Sequence, residues 1–499
     1  MLPILALAQA AYLDTILDDP VLRGAVVATC VMRADGTVLY QRSADQRMMP
    51  ASNQKVGTCL FAASVLGLDY RPKTRFWRLA DRVVITAEGD PSLTFAQLRE
   101  VASRLGLPRR PLPVHLAQPY RPGYPPSWEY DDLPNRYAAP ITAFSADRAA
   151  FEVWAEGGRL LQLPKELGLR VTTVAAPGSS RVEYDLFAAR LTVSGTLPRA
   201  KTRLETLAQR DPDLVAARLF GSPVVRGAAL PSEPPTLTLE GPPLVELIRT
   251  CLVESSNHYA ENLLLIAAAR LRPTLSVLKP YPEATDLLKQ FLTETVGLEP
   301  GAIRADDGSG LSRHNWVTPR AMCRMLAWAD GQPWGEALRS CLASPGKGTL
   351  RSRLAGSSFV GKTGTLDGVV ALSGSLQVAP PPPLGEEGVG AWRAGAFRTG
   401  QHLLCARDLS PSPYPLPLAG ETKGELRPAP PTRGEGVTIS SPERLYLSLI
   451  VNHGIAPAAQ QQEAVDRFVR EVERLWTGVT APRTSRTPAR ASNPAGAVR

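Results

Sequence analysis

The chain has 499 residues, 44% of them hydrophobic, with a net charge of +9 and a mean hydropathy of -0.10. That length exceeds one ordinary core and points to two or three domains, and no apolar run reaches the roughly 18 residues of a membrane span. The basicity is carried by 47 Arg against 9 Lys with no long basic run in the body of the chain, which argues against nucleic acid and leaves solubility or peripheral attraction to an anionic surface. Four of the arginines, Arg483, Arg486, Arg490 and Arg499, sit in the tail.

Taken in order, Met1 to Ala10 reads either as the tail of a secretory signal, with Ala8-x-Ala10 as a cleavage site, or as an ordinary helix start. Residues 13–24 predict a short amphipathic helix halted at Pro20. Strands follow at Ala25 to Arg33 and Thr37 to Tyr40, joined by the turn Ala34-Asp35-Gly36. The apolar run from Val56 to Leu66, stopped by Gly67, predicts a helix.

From 76 to 245 the pattern changes to short β-branched runs broken by Gly and Pro, such as Arg82 to Thr86 and Arg190 to Thr196, and predicts one or two inserted β-rich domains. Helical periodicity returns at Pro243 and predicts helices through Ala269, from Tyr281 to Val296 and from Pro319 to Ala329. Strands are expected at Ser358 to Lys362, Val369 to Val378 and Arg444 to Asn452, with a last amphipathic helix from Ala459 to Trp476. Proline density makes 379–440 a low-complexity insertion, expected to be disordered at a hairpin tip. The division expected is therefore a leader-like 1–12, a first mixed part 13–75, the insert 76–245, a second mixed part 246–378, the 379–440 insertion, a closing strand and helix 441–476 and a disordered basic tail 477–499. The cysteines at 30, 59, 251, 323, 341 and 405 show no metal-binding spacing, so neither a metal nor another cofactor is expected.

Three short motifs carry chemistry. In Ser52-Asn53-Gln54-Lys55 a hydroxyl and an amine stand at i and i+3, neighbours if a helix begins there. A serine hydroxyl is a weak nucleophile until a base takes its proton, and a lysine pushed toward neutrality can be that base. Two other copies of Ser-x-x-Lys fail on context: Ser344-Pro345-Gly346-Lys347 cannot hold a regular helix, and Lys279 runs into Pro280.

Ser255-x-Asn257 places a hydroxyl and a carboxamide on a loop between helices, suited to relaying a proton and holding a substrate carbonyl. Lys362-Thr363-Gly364-Thr365, on an edge strand, would set a cation and hydroxyls beside the nucleophile, suit a substrate carboxylate, and let the substrate backbone approach Gly364. The backbone N–H groups of Ser52 and Thr365 would then form an oxyanion hole. Each motif alone reads as a helix cap or a solvated lysine. Gly356 to Thr363 also satisfies the phosphate-loop pattern, but the residues after Thr363 read as strand and turn, where that loop needs a helix.

Ser-x-x-Lys, Ser-x-Asn and Lys-Thr-Gly in this order resemble the set found in penicillin-binding proteins and serine β-lactamases. The long first gap, together with Gly89-Asp90-Pro91-Ser92-Leu93 and Asp306-Asp307-Gly308-Ser309-Gly310-Leu311-Ser312-Arg313, resembles the D-alanyl-D-alanine carboxypeptidase/endopeptidase family of class C low-molecular-mass penicillin-binding proteins. The resemblance implies an α/β (α+β) transpeptidase-like fold with inserted β-rich domains. It implies an extracytoplasmic or periplasmic serine peptidase acting on peptidoglycan stem peptides, with β-lactams as covalent inhibitors. Carried over, Ser52 is the acylated nucleophile, Lys55 its base, Ser255 and Asn257 the relay and clamp, and Lys362, Thr363 and Thr365 the carboxylate-binding strand. A β-lactamase of the same fold and a catalytically silent wall-binding relative remain alternatives.

Overall fold

The computed structural model describes residues 2–378 and 443–477. The expected insertion at 379–440, the tail beyond Thr477 and Cys405 lie outside the described residues. Helix α1 spans Leu2–Leu17, earlier than the helix expected at 13–24. No breaker interrupts the chain between Pro3 and Pro20, and Pro20 opens a separate short 3-10 turn capped by the Asp19 carboxylate, which accepts the Val21 N–H at 2.8 Å.

The hairpin β1 (Val26–Arg33) and β2 (Val38–Arg42) comes next, then α2 (Gln54–Leu66). All of α2 from Gln54 to Ala63 is buried, so its apolar composition reflects a helix surrounded by protein rather than one packed on a single face. Gly67, at φ 77°, ends it by donating its N–H to the Ala63 carbonyl.

The stretch expected as an insert opens near β3 (Lys73–Arg78) and β4 (Val83–Ala87), then α3 (Phe95–Arg104) and β5 (Val114–Leu116). Helix α3 was not expected; its signal is local, a capping box in which the Thr94 side chain and Gln97 bond each other's backbone. Strands β6 (Ala150–Glu156), β7 (Arg159–Leu160), β8 (Arg170–Ser179), β9 (Arg181–Asp185), β10 (Arg190–Thr196) and β11 (Thr202–Ala208) follow. A short α4 (Pro212–Ala217), β12 (Val224–Arg226) and β13 (Leu237–Glu240) close this stretch. It forms a five-stranded sheet in the order β12-β5-β4-β3-β13 and two three-stranded sheets, β8-β10-β9 and β11-β6-β7. Phe76, Ile85, Leu98, Val153, Leu191 and Phe220 share its core.

Helices α5 (Leu244–Val253), α6 (Asn257–Leu271) and α7 (Tyr281–Gln290) then pack around α2. The helix expected from Tyr281 to Val296 changes at Phe291 into one wider turn, so its pitch, not its existence, departs from expectation. A two-stranded ribbon of β14 (Ile303–Arg304) and β15 (Trp316–Val317) brackets the loop 305–315, and α8 (Pro319–Asp330) and α9 (Gly335–Arg339) lead to the last strands. These are β16 (Val360–Leu366), β17 (Val369–Val378) and β18 (Glu443–Asn452), before α10 (Ala458–Thr477).

The central sheet runs β16-β17-β18-β1-β2 and is covered on both faces, as its nearly continuous apolar strands require. Val27, Val31, Leu445, Leu447, Leu449 and Val451 meet Leu13 and Leu17 of α1 and Phe468, Val469 and Val472 of α10. The alternate residues Ala28, Cys30, Met32, Tyr446 and Ile450 join the core of α2, α6 and α8. Each buried Leu, Ile or Val contributes roughly 1.5–3 kcal/mol. The result is a mixed α/β fold in which β16, an edge strand, faces the start of α2. Among the described residues, no helix is long and apolar enough to cross a membrane.

Candidate active site

The turn bearing Ser52 is built first. Ala51–Asn53 form one 3-10 turn, and α2 begins at Gln54, so Ser52 stands just before the regular helix and Lys55 in its first turn. Asn53 fixes the turn to the sheet: its Nδ2 donates to Ser373 Oγ on β17 at 2.8 Å, and Ser373 donates onward to Ser448 Oγ on β18 at 2.8 Å. Gly310, at φ 82°, lies so close that a Cβ there would come within 1.8 Å of the Ala51 carbonyl oxygen.

Lys55 is fully buried, and its Nζ lies 2.8 Å from Ser52 Oγ, 2.6 Å from Asn257 Oδ1 and 2.7 Å from the Ser309 carbonyl. Burial pushes this amine below the ordinary lysine range, while Cys251, Asp307 and Glu261 pull the other way. Two of the three neighbours can only accept at these atoms; the Ser52 hydroxyl can also donate. A neutral Lys55 therefore fits the same geometry, giving protons to Asn257 and Ser309 and taking one from Ser52.

Lys362 lies within β16 and is also fully buried. Its Nζ donates to Ser255 Oγ at 2.8 Å and to the Thr363 carbonyl at 2.7 Å. Burial first, and then the charge of Lys55, hold it well below the ordinary lysine range. Because β16 continues to Leu366 and turns into β17, no helix follows Lys362 for the phosphate-loop arrangement to use. Ser255 occupies the joint between α5 and α6 at φ 61°, and Asn257 opens α6. Asn257 Nδ2 donates to the Tyr137 carbonyl at 2.9 Å, which orients the amide so that its oxygen faces Lys55.

Thr363 Oγ1 donates to Thr349 Oγ1 at 2.8 Å, whereas Thr365 is exposed. A Cβ at Gly364 would meet the Pro50 carbonyl oxygen at 2.7 Å and the Ser52 nitrogen at 3.1 Å, so the missing side chain lets β16 close on the serine turn.

Ser52, Lys55, Ser255, Asn257, Lys362, Thr363, Gly364 and Thr365 are thus brought to one place. A cleft of about 400 Å³ opens over them, lined by Ser52, Ser255, Asn257 and Thr365 together with Tyr137 and Arg313. A larger concavity of about 630 Å³ adjoins it and shares Tyr137, Ser255 and Asn257. Sequence reasoning left Ser309, Tyr137 and Thr349 unassigned. The first two act here through main-chain carbonyls, which no residue type announces; the polar, glycine-rich run around Ser309 was the available signal.

The chain is similar to several known proteins. A D-alanyl-D-alanine carboxypeptidase of Actinomadura sp. (strain R39) is 28% identical over 438 residues, covering 75% of this chain and 78% of that protein. The crystal structure of penicillin binding protein 4 from Haemophilus influenzae superposes with a TM-score of 0.67 at 17% identity, covering 92% of this chain and 98% of that one. The same protein complexed with a β-lactam gives 0.63 at 17% identity, over 93% and 99% of the two chains. Residues 9–380 match the D-Ala-D-Ala carboxypeptidase 3 (S13) family, and the chain belongs to that family of peptidases.

Proposed function

We propose that the chain is a serine-type D-Ala-D-Ala carboxypeptidase/endopeptidase that cleaves peptidoglycan stem peptides through an acyl-enzyme on Ser52. The observation that carries this reading is the buried Lys55 amine, 2.8 Å from Ser52 Oγ and held by Asn257 and the Ser309 carbonyl. In the first step Lys55 Nζ takes the Ser52 proton as Oγ attacks the carbonyl carbon of the penultimate D-Ala. The backbone N–H groups of Ser52 and Thr365 stabilise the oxyanion.

The C–N bond then breaks, and the leaving amine takes its proton through Ser255, which sits between Lys362 and the cleft. Water, activated by the same amines, hydrolyses the Ser52 ester. Asn257 holds the substrate amide, while Thr363, Thr365 and the Lys362 amine, as hydrogen-bond donors, favour a terminal carboxylate. A β-lactam, whose strained amide mimics the dipeptide, acylates Ser52 by the same first step; the neighbouring penicillin binding protein 4 binds one. Residues 76–245 act in this reading as the inserted domains, and the substrate places the enzyme outside the cytoplasmic membrane.

The test is labelling of the purified protein with a fluorescent penicillin. Covalent label on the wild type that disappears in Ser52→Ala supports the reading. Label retained in Ser52→Ala, or absent from a folded wild type, overturns it. Rapid turnover of a chromogenic cephalosporin would move the assignment to a β-lactamase.

A further inference from the structure

Behind Lys55 lies a second buried layer. Ser309, whose carbonyl accepts from Lys55, is joined to Gly308, and both sides of Gly308 are held. Its carbonyl accepts from Thr58 Oγ1 at 2.7 Å, and its N–H donates to Glu261 Oε2 at 3.0 Å. Glu261 is an acid on helix α6, fully buried, and its other oxygen has no hydrogen-bond partner.

The groups facing Glu261 are Asp307 and Ser309 from the loop, Tyr281 from α7 and Lys55 from α2. Asp307 is also fully buried, and it accepts from Ser309 N, Gly310 N, Ser312 N, Asn315 Nδ2 and Trp128 Nε1, all within 3.1 Å. Two neighbouring buried carboxyls do not both ionise without strong support. The donors are gathered on Asp307; Glu261 receives a single backbone N–H at hydrogen-bond distance.

We propose that Glu261 is a positioning residue that works as a neutral carboxylic acid, clamping Gly308 so that the carbonyl of the next residue, Ser309, aims at Lys55. The proposal rests on the reading of Ser52 as nucleophile and Lys55 as its base. Burial first, and then Asp307, push the Glu261 carboxyl up to about 8, in keeping with the neutral form at physiological pH. Ionisation would add a negative charge facing Lys55, favour its ammonium form and weaken it as a base.

The experiment tracks the acylation rate of the full chain by fluorescent penicillin across neutral and alkaline pH, with wild type, Glu261→Gln, Thr58→Val and Ser52→Ala side by side. Glu261→Gln keeps the neutral shape, so its rate at neutral pH should stay within about threefold of wild type, a small change beside the roughly 10²–10⁴-fold typical of losing a proton-transfer group. The wild-type rate should fall as pH passes through about 8, and the Gln variant should lack that fall. A loss of about 100-fold in a folded Glu261→Gln, or an identical alkaline fall in both proteins, overturns the proposal. Thr58→Val loosens the other side of Gly308 and keeps the test open should Glu261→Gln not fold. It should slow acylation about tenfold with penicillin affinity unchanged, and an unchanged rate overturns the clamp. Label that survives Ser52→Ala sinks the underlying nucleophile reading instead.

Discussion

The two walls of the cleft carry the same functional group in unlike settings. On the helical wall, Lys55 meets three oxygen partners and is backed by the buried acid Asp307. On the strand wall, Lys362 meets two, and the strongest charge acting on it is another cation, Lys55. The lesson concerns division of labour. An amine with opposite charge behind it can accept and hold a proton; one facing a like charge passes it on or stays neutral. Both directions suit a reaction in which a proton is first taken from Ser52 and later delivered to a leaving amine.

The sharpest way to break this contrast is Lys55→Ala, expected to slow penicillin acylation about 10³-fold, as removing a general base does. A smaller loss there than in the strand-wall variant would reverse the assignment. Lys362→Ala should cost about 10²-fold, and the loss should appear mainly in the rate at saturating peptide substrate if delivery to the leaving amine is its task. Gly364→Ala tests whether the walls must touch. Its Cβ would press on the Pro50 carbonyl oxygen at 2.7 Å, and acylation should fall about tenfold in a protein that still folds.

These three changes fall at positions readable in the sequence, which shows what was legible. Ser52, Lys55, Ser255, Asn257 and Lys362 announce themselves because side-chain chemistry at fixed spacing leaves a pattern of residue types. The order of hairpin, helix and edge strand followed from apolar periodicity. What escaped depends on the main chain or on distant neighbours: the Ser309 and Tyr137 carbonyls, the 3-10 turn that sets Ser52 ahead of α2, and the closeness that makes Gly364 serve the protein's own backbone. Glu261 was hidden because an acid among the polar residues that open α6 looks like part of a solvated face until the fold shows it buried. Helix α3 was missed within a stretch rich in β-branched residues, although Thr94 and Gln97 mark its start.

Two gentler measurements sharpen the same comparison. His258, one residue after Asn257 on the helical wall, is buried, and burial first and then Arg148 lower its imidazole to about 3 from 6.5. Its folded-state value lies below its unfolded one, so the stability it contributes is complete above about 6.5 and is lost as pH falls toward about 3. Urea denaturation should show a slope of at most about 1.4 kcal/mol per pH unit from this group across that window, reduced in His258→Asn. The smallest effect is expected at Arg148, which reaches Glu254 at 2.7 Å with both side chains partly exposed. Arg148→Ala should change stability by less than about 1 kcal/mol, measured by thermal unfolding, because solvent screens such a pair.

One feature of the sheet reaches beyond catalysis. The chain leaves β17 at Val378, five positions past Ser373, the register partner of Lys362, and re-enters the same sheet at Glu443 in β18. The strands are held to each other through the ladder and through the apolar faces they share with α1 and α10. Fragments ending at Val378 and starting at Glu443 divide that sheet into four strands and one, and regained penicillin labelling on mixing them would report their reunion.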